Sequence, residues 1–256
     1  MDRVIDIPEF VPEDMPLSCT WLLIGKPSSG KTTLLENLVH EVKYRYPVGR
    51  FFFGSDTAYK RFCEIAHPLY VSNYFDKDEV TDVVRRQRQV YLENMDAGYE
   101  KDYVGNYNVL VIDDASDDPR VYKEKVMRGL YKLGTQHYNQ LFLLGTQYSV
   151  DLPPDIRRSV SYVALFREPE VSEREKLYKN FGGIVGSLDR FNMLMDQITG
   201  DYTALIIKRM SQSNNPEDCI SWYRTTPLDM WKFGCSQYHK WAEERYDKNY
   251  KEVVMV

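Results

Sequence analysis

No stretch of the chain approaches the roughly 18 consecutive apolar residues that a membrane-crossing helix requires. The first residues, Met1-Asp2-Arg3-Val4-Ile5-Asp6, are too acidic and too poor in apolar side chains to read as a signal peptide. A cytoplasm-like compartment is therefore the expected place of work. Cysteine is scarce: Cys19, Cys63, Cys219 and Cys235 stand far apart, without a C-x-x-C or paired histidine spacing. A disulfide framework and a zinc site both lack a basis, and buried or incidental thiols are expected. An excess of positive charge is also missing. Lys and Arg number 33 against 38 Asp and Glu, a net charge of −5, so any contact with nucleic acid has to be local. Internal repeats and low-complexity segments are absent too. What is left, 256 residues that are 43% hydrophobic and 28% charged, is enough for one sizeable core and a smaller appendage.

Against this plain background one segment carries specific chemistry. Gly25-Lys26-Pro27-Ser28-Ser29-Gly30-Lys31-Thr32 is a complete G-x-x-x-x-G-K-[ST] phosphate loop, with Thr33 following. It lies between the apolar run Trp21–Ile24 and a helical pattern, the context that the motif requires. Glycines permit a tight turn whose backbone N–H groups face a polyphosphate. Lys31 is placed to reach the β/γ-phosphates and the Thr32 hydroxyl to complete a Mg²⁺ shell, with the helix directing its positive end at the anion. The expected ligand is a nucleoside triphosphate with Mg²⁺.

The rest of the chain alternates strand and helix signals. Strands are expected at Cys19–Ile24, Arg50–Gly54, Leu69–Val71, Asn108–Ile112, Leu141–Leu144, Ser161–Phe166 and Thr203–Ile207, the last as an edge strand. Helical periodicity covers Thr32–Tyr46, Lys77–Met95 and Val121–Leu133, and a charged amphipathic helix is expected over Gln237–Glu252. This pattern predicts an α/β P-loop NTPase of the RecA/ASCE type, a mostly parallel sheet flanked by helices. Residues 1–16, with Pro8, Pro12 and Pro16, read as an N-terminal arm, 17–210 as the ATPase core and 211–256 as a small aromatic-rich extension. In that extension Trp222, Tyr223, Trp231, Phe233, Tyr238 and Trp241 form either a cap on the sheet or a subunit contact.

A phosphate loop alone does not separate kinases, GTPases and motors, so the next strands matter. Val109–Ile112 ends in Asp113-Asp114, a Walker B pattern in which Asp113 holds Mg²⁺ and Asp114 takes the place of a water-polarising glutamate. The shorter aspartate reaches one methylene less far; a helix N-cap pair is the other reading. Gln147, at the tip of the strand through Leu144, is a candidate to orient water beside the γ-phosphate. Arg157 and Arg158 are candidate arginine fingers acting on a neighbouring subunit, or surface ion-pair partners. Arg85-Arg86-Gln87-Arg88 reads as a solvent-facing run on a helix, with a nucleotide lid or DNA phosphates as alternatives. No N-K-x-D motif supports a Ras-type GTPase, and no L-S-G-G-Q signature supports an ABC transporter subunit.

Gly25–Thr32, Val109–Asp114, Gly134–Asn139, Thr146-Gln147 and Leu152–Arg157 together resemble the genome-packaging ATPases of nucleocytoplasmic large DNA viruses, a branch of the FtsK–HerA superfamily. The segment from Trp222 to Gly234 is similar to that family's C-terminal end. Members often carry arginine where this chain has Gln136, before His137, which shifts the finger assignment towards Arg157 or Arg158. The resemblance implies a ring-forming ATP hydrolase that moves double-stranded DNA into a capsid, with capsid or inner-membrane components of a virion as partners. It also implies a location in the virion or at a virus factory in the host cytoplasm. A RecA-like helicase, a cellular FtsK–HerA translocase, a nucleotide-dependent switch and a small-molecule kinase are the competing readings.

Overall fold

In the computed structural model, which describes residues 7–98, 107–115, 118–147 and 152–247, the uninterrupted apolar runs form the middle of one eight-stranded sheet. Its strands are β1 (Cys19–Ile24), β2 (Val48–Phe53), β3 (Val71–Ser72), β4 (Asn108–Asp113), β5 (Gln140–Thr146), β6 (Tyr162–Leu165), β7 (Thr203–Lys208) and β8 (Ile220–Arg224), in the order β3-β2-β4-β5-β1-β6-β7-β8. All pairings from β3 to β6 are parallel; β7 runs antiparallel to β6, and β8 antiparallel to β7. Every residue of β1, β4 and β5 is buried, because helices cover both faces of a parallel sheet and leave no wet side for alternation to mark.

The helices are α1 (Lys31–Val42), α2 (Asp56–Ile65), α3 (Lys77–Asp96), α4 (Lys125–His137), α5 (Pro154–Ser159), α6 (Val171–Phe181), α7 (Leu188–Ile198) and α8 (Ser236–Arg245). One core layer joins Leu34, Leu38 and Val42 of α1 and Phe62 of α2 to the sheet and to Trp231, Phe233 and Tyr238. The opposite layer joins Val80 of α3, Leu130 and Tyr131 of α4, Leu177 of α6 and Phe191 of α7 to the other face. The α1 apolar spacing at 34, 35, 38, 39 and 42 faces the sheet as one buried stripe.

Several expected boundaries shift for local reasons. Thr203–Ile207 is not an edge: β8 pairs along it from Thr203–Arg224 to Ile207–Ile220. Pro68 starts a 3₁₀ turn over Pro68–Tyr70, so the short edge strand begins only at Val71. Pro119 likewise sets a 3₁₀ turn over Pro119–Lys123 ahead of α4. The C-terminal helix ends at Arg245, and positions 248–252 of the expected Gln237–Glu252 helix lie outside the described residues, as does the start of the N-terminal arm. The described part of the arm adds to the β8 edge, where Phe10 N–H donates to the Trp222 carbonyl at 2.8 Å and Trp222 N–H to that of Pro8 at 3.0 Å. Among the described residues no helix is long and apolar enough to cross a membrane.

Candidate nucleotide site

Parallel packing brings the carboxyl ends of β1, β4 and β5 side by side, and the turn after β1 is the phosphate loop. Gly25 N–H donates to the Thr146 carbonyl at 3.3 Å, tying the loop's start to the tip of β5. Gly30 precedes α1 with φ +106°, a left-handed conformation that side chains disfavour, and its carbonyl accepts the Leu34 N–H at 2.9 Å. The first turn of α1 thus opens towards the loop with its positive end. Lys26, in mid-loop, is held by Glu168 at 2.9 Å and Glu170 at 3.2 Å.

Lys31 and Thr32 project from the first turn of α1 onto the end of β4. The Lys31 ammonium is 2.6 Å from Asp114 Oδ2 and 3.0 Å from the Gly25 carbonyl. The Thr32 hydroxyl donates to Asp113 Oδ2 at 2.6 Å. Asp113 is buried, and burial pushes its carboxyl up to about 6 despite the opposing pull of the Lys31 ammonium and the Thr32 hydroxyl. Asp114 turns the chain out of the strand with φ +46°, and its N–H donates to the Gly145 carbonyl at 3.2 Å. Gly145 is required here by space: a Cβ at this position would lie 1.9 Å from Asp113 Oδ1.

The donor set fits a magnesium triphosphate. Asp113 Oδ1 and Ser29 Oγ are buried oxygens without a hydrogen-bond partner among the described residues, and unpaired buried polar atoms are costly unless a ligand or solvent completes them. Thr32 and Asp113 are the oxygen pair that would hold the metal, as a hard divalent cation requires. Residues 25–33 are the segment that would cradle the anion around the Lys31 ammonium.

The other candidates fall at different places. Gln147 is exposed beside Lys26 and Pro27, lining a cavity of ≈ 460 Å³ with Glu168 and Leu177. Arg157 and Arg158 end α5, whose Ser159 carbonyl accepts from Thr20 at the start of β1. They therefore sit towards the amino end of the strands, away from the phosphate loop of their own chain. Residues 148–151 of the Gln147–Arg157 connection lie outside the described residues, as does the Gln136 side chain. Arg85–Arg88 lies on α3, with Gln87 buried and donating to the Tyr138 carbonyl at 2.7 Å. Phe166, Arg167, Glu168 and Glu170 were absent from the sequence reading of the site. Phe166 packs under Gly25 and Gly30, a role that no motif marks.

No protein-family model matches the chain. It is 31% identical over 221 residues to protein 088R of Invertebrate iridescent virus 3, an uncharacterized protein, covering 84% of this chain and 80% of that one. Among solved structures it superimposes on the genome packaging NTPase B204 of Sulfolobus turreted icosahedral virus 2 in complex with ATP-gammaS, with TM-score 0.56 and 17% identity, covering 84% of this chain and all (100%) of B204. The pCW3 conjugation coupling protein TcpA with ATPgS gives TM-score 0.55 and 12% identity over 83% of this chain and 61% of TcpA. The chain therefore belongs to the viral protein family that includes 088R, and it shares the fold of the NTPase B204 and of TcpA.

Proposed function

We propose that this protein is an ATP-hydrolysing motor that translocates double-stranded viral DNA into a capsid, acting as a homo-oligomeric ring in the virion or at a virus factory. The observation that carries the reading is the convergence of Lys31, Thr32, Asp113 and Asp114 within 2.6 Å hydrogen bonds at the mouth of the phosphate loop. Support for the DNA step comes from the fold shared with B204, whose name records genome packaging, and with TcpA, whose name records conjugation.

In the proposed reaction the backbone N–H groups of the phosphate loop, which Pro27 does not supply, and the Lys31 ammonium neutralise the β- and γ-phosphates. Thr32 and Asp113 would hold Mg²⁺, which would supply charge to screen the phosphoryl oxygens. Lys31 exchanges its contact with Asp114 for the phosphate, which frees the Asp114 carboxylate to accept a proton from water. Gln147 orients that water for in-line attack. Arg157 or Arg158 of an adjacent subunit supplies charge in the transition state. A negative overall charge agrees with local phosphate contacts inside a ring.

Lys31→Ala is expected to abolish turnover, and Asp114→Asn to bind ATP while hydrolysing little of it. The motor itself is tested by displacement of a third strand from a DNA triplex. ATP-dependent displacement that Lys31→Ala lacks supports translocation along intact duplex. Strand separation instead identifies a helicase, and phosphate transfer to a nucleoside identifies a kinase.

A further inference from the structure

The phosphate loop has two flanks, and they differ. On the β4 side stand Asp113 and Asp114, next to Thr32 and Lys31, where the terminal phosphate would react. On the β6 and β7 side a second cavity of ≈ 380 Å³ is walled by Ser28 and Ser29 of the loop and by Arg167 and the turn Thr199–Thr203. An extended nucleotide whose terminal phosphate lies at β4 leaves its nucleoside on this second flank. The turn there is unusual. Asp201 and Tyr202 are both non-glycine residues with positive φ, +47° and +60°, and two such neighbours persist only where the surroundings over-determine them. Thr225, itself buried, supplies that constraint: its N–H and its hydroxyl both donate to the Tyr202 carbonyl, at 3.1 and 3.0 Å. The Thr203 N–H closes the turn onto the Gly200 carbonyl at 2.8 Å. The backbone of Tyr202 is thereby fixed against the phosphate loop, where its Cβ lies 3.4 Å from the position a Cβ on Gly30 would take. The residue as a whole is nonetheless left 63% exposed.

We infer that Tyr202 is the nucleobase platform of this site, an exposed ring carried on a fixed backbone, on which the base of the bound nucleotide stacks. This rests on the proposed nucleoside triphosphate reading and names the part of the ligand that the phosphate loop does not touch. Stacking on an aromatic face tolerates any base, because every base has a π-face, so the contact contributes affinity for a nucleoside without selecting adenine.

The test compares ATP with inorganic tripolyphosphate, which carries the phosphates without a base, by titration calorimetry on the full chain in Mg²⁺. Tyr202→Ala is expected to weaken ATP roughly 5- to 100-fold and to leave tripolyphosphate affinity as in the unaltered chain. Tyr202→Trp, which restores a ring, is expected to recover the lost ATP affinity, and GTP to follow ATP in all three proteins. Equal loss for ATP and tripolyphosphate, or no loss for either, overturns the platform while leaving the phosphate loop intact. An unaltered chain that binds neither compound overturns both readings.

Discussion

Asp113 is the residue on which most of the local physics converges. Burial raises its carboxyl to about 6, so ionising it within the folded protein costs more than in the unfolded chain. The sign follows from that direction. Stability from this group is fully present below the ordinary carboxylate range and is lost as pH rises through about 6. In metal-free buffer, the melting midpoint is expected to fall between about pH 4 and pH 6.5 by an amount worth no more than about 3 kcal/mol. Asp113→Asn should flatten that slope; parallel curves for the two proteins would contradict the assignment. Gly145→Ala drives a methyl group onto Asp113 Oδ1 and is expected to destabilise the fold by roughly 1–3 kcal/mol, read by urea unfolding, with ATP turnover lost alongside. Lys31, Thr32 and the Asp113-Asp114 pair were legible in the sequence because each lies at a fixed offset from an apolar strand. Gly145 and Phe166 were not, since close approach across strands leaves no mark along the chain. The Asp201-Tyr202 turn was equally silent, because neither residue is a glycine that would advertise a positive φ.

At the scale of elements, legibility followed burial. The runs that became β1, β4 and β5 are apolar without a break, and helices on both faces explain why. β8, in contrast, reads Ile220-Ser221-Trp222-Tyr223-Arg224, and its large rings resemble a generic aromatic cluster rather than a strand. Without it, Thr203–Lys208 takes the appearance of an edge. Helices α2, α6 and α7 are short, and each buries only three apolar side chains or fewer, which is too few turns for a periodicity to stand out. The residues after β8 matter mechanically. Phe233 is fully buried, edge-on to Phe51 at 5.3 Å, and its N–H donates to the Ile65 carbonyl at 3.0 Å. Phe233→Ala is expected to cost about 3–5 kcal/mol in a urea titration. Trp241, 48% exposed on α8, should cost far less when replaced by Ala. A small effect at Phe233 would mean that the segment beyond β8 is not part of the core.

For the whole molecule, the position of α5 has a consequence. Arg157 and Arg158 lie towards the opposite strand ends from their own phosphate loop, so a role for them in hydrolysis requires a neighbouring subunit. Mixing Arg157→Ala or Arg158→Ala subunits with Lys31→Ala subunits is expected to restore part of the ATPase activity that each lacks alone, because an intact loop then meets an intact arginine. A finger lost altogether should cost about 10³–10⁵ in rate. Absence of rescue in both mixtures would remove these two residues from the reaction.

The claim beneath all of this is that the loop after β1 and the carboxylates ending β4 form one pocket that splits a nucleotide in response to DNA. The steady-state release of phosphate from Mg²⁺-ATP, measured with and without long duplex DNA, tests it most directly. Turnover that duplex DNA accelerates and that Lys31→Ala eliminates is the predicted result. An unaltered protein that releases no phosphate in either condition, or a Lys31→Ala protein as active as the unaltered one, would contradict it.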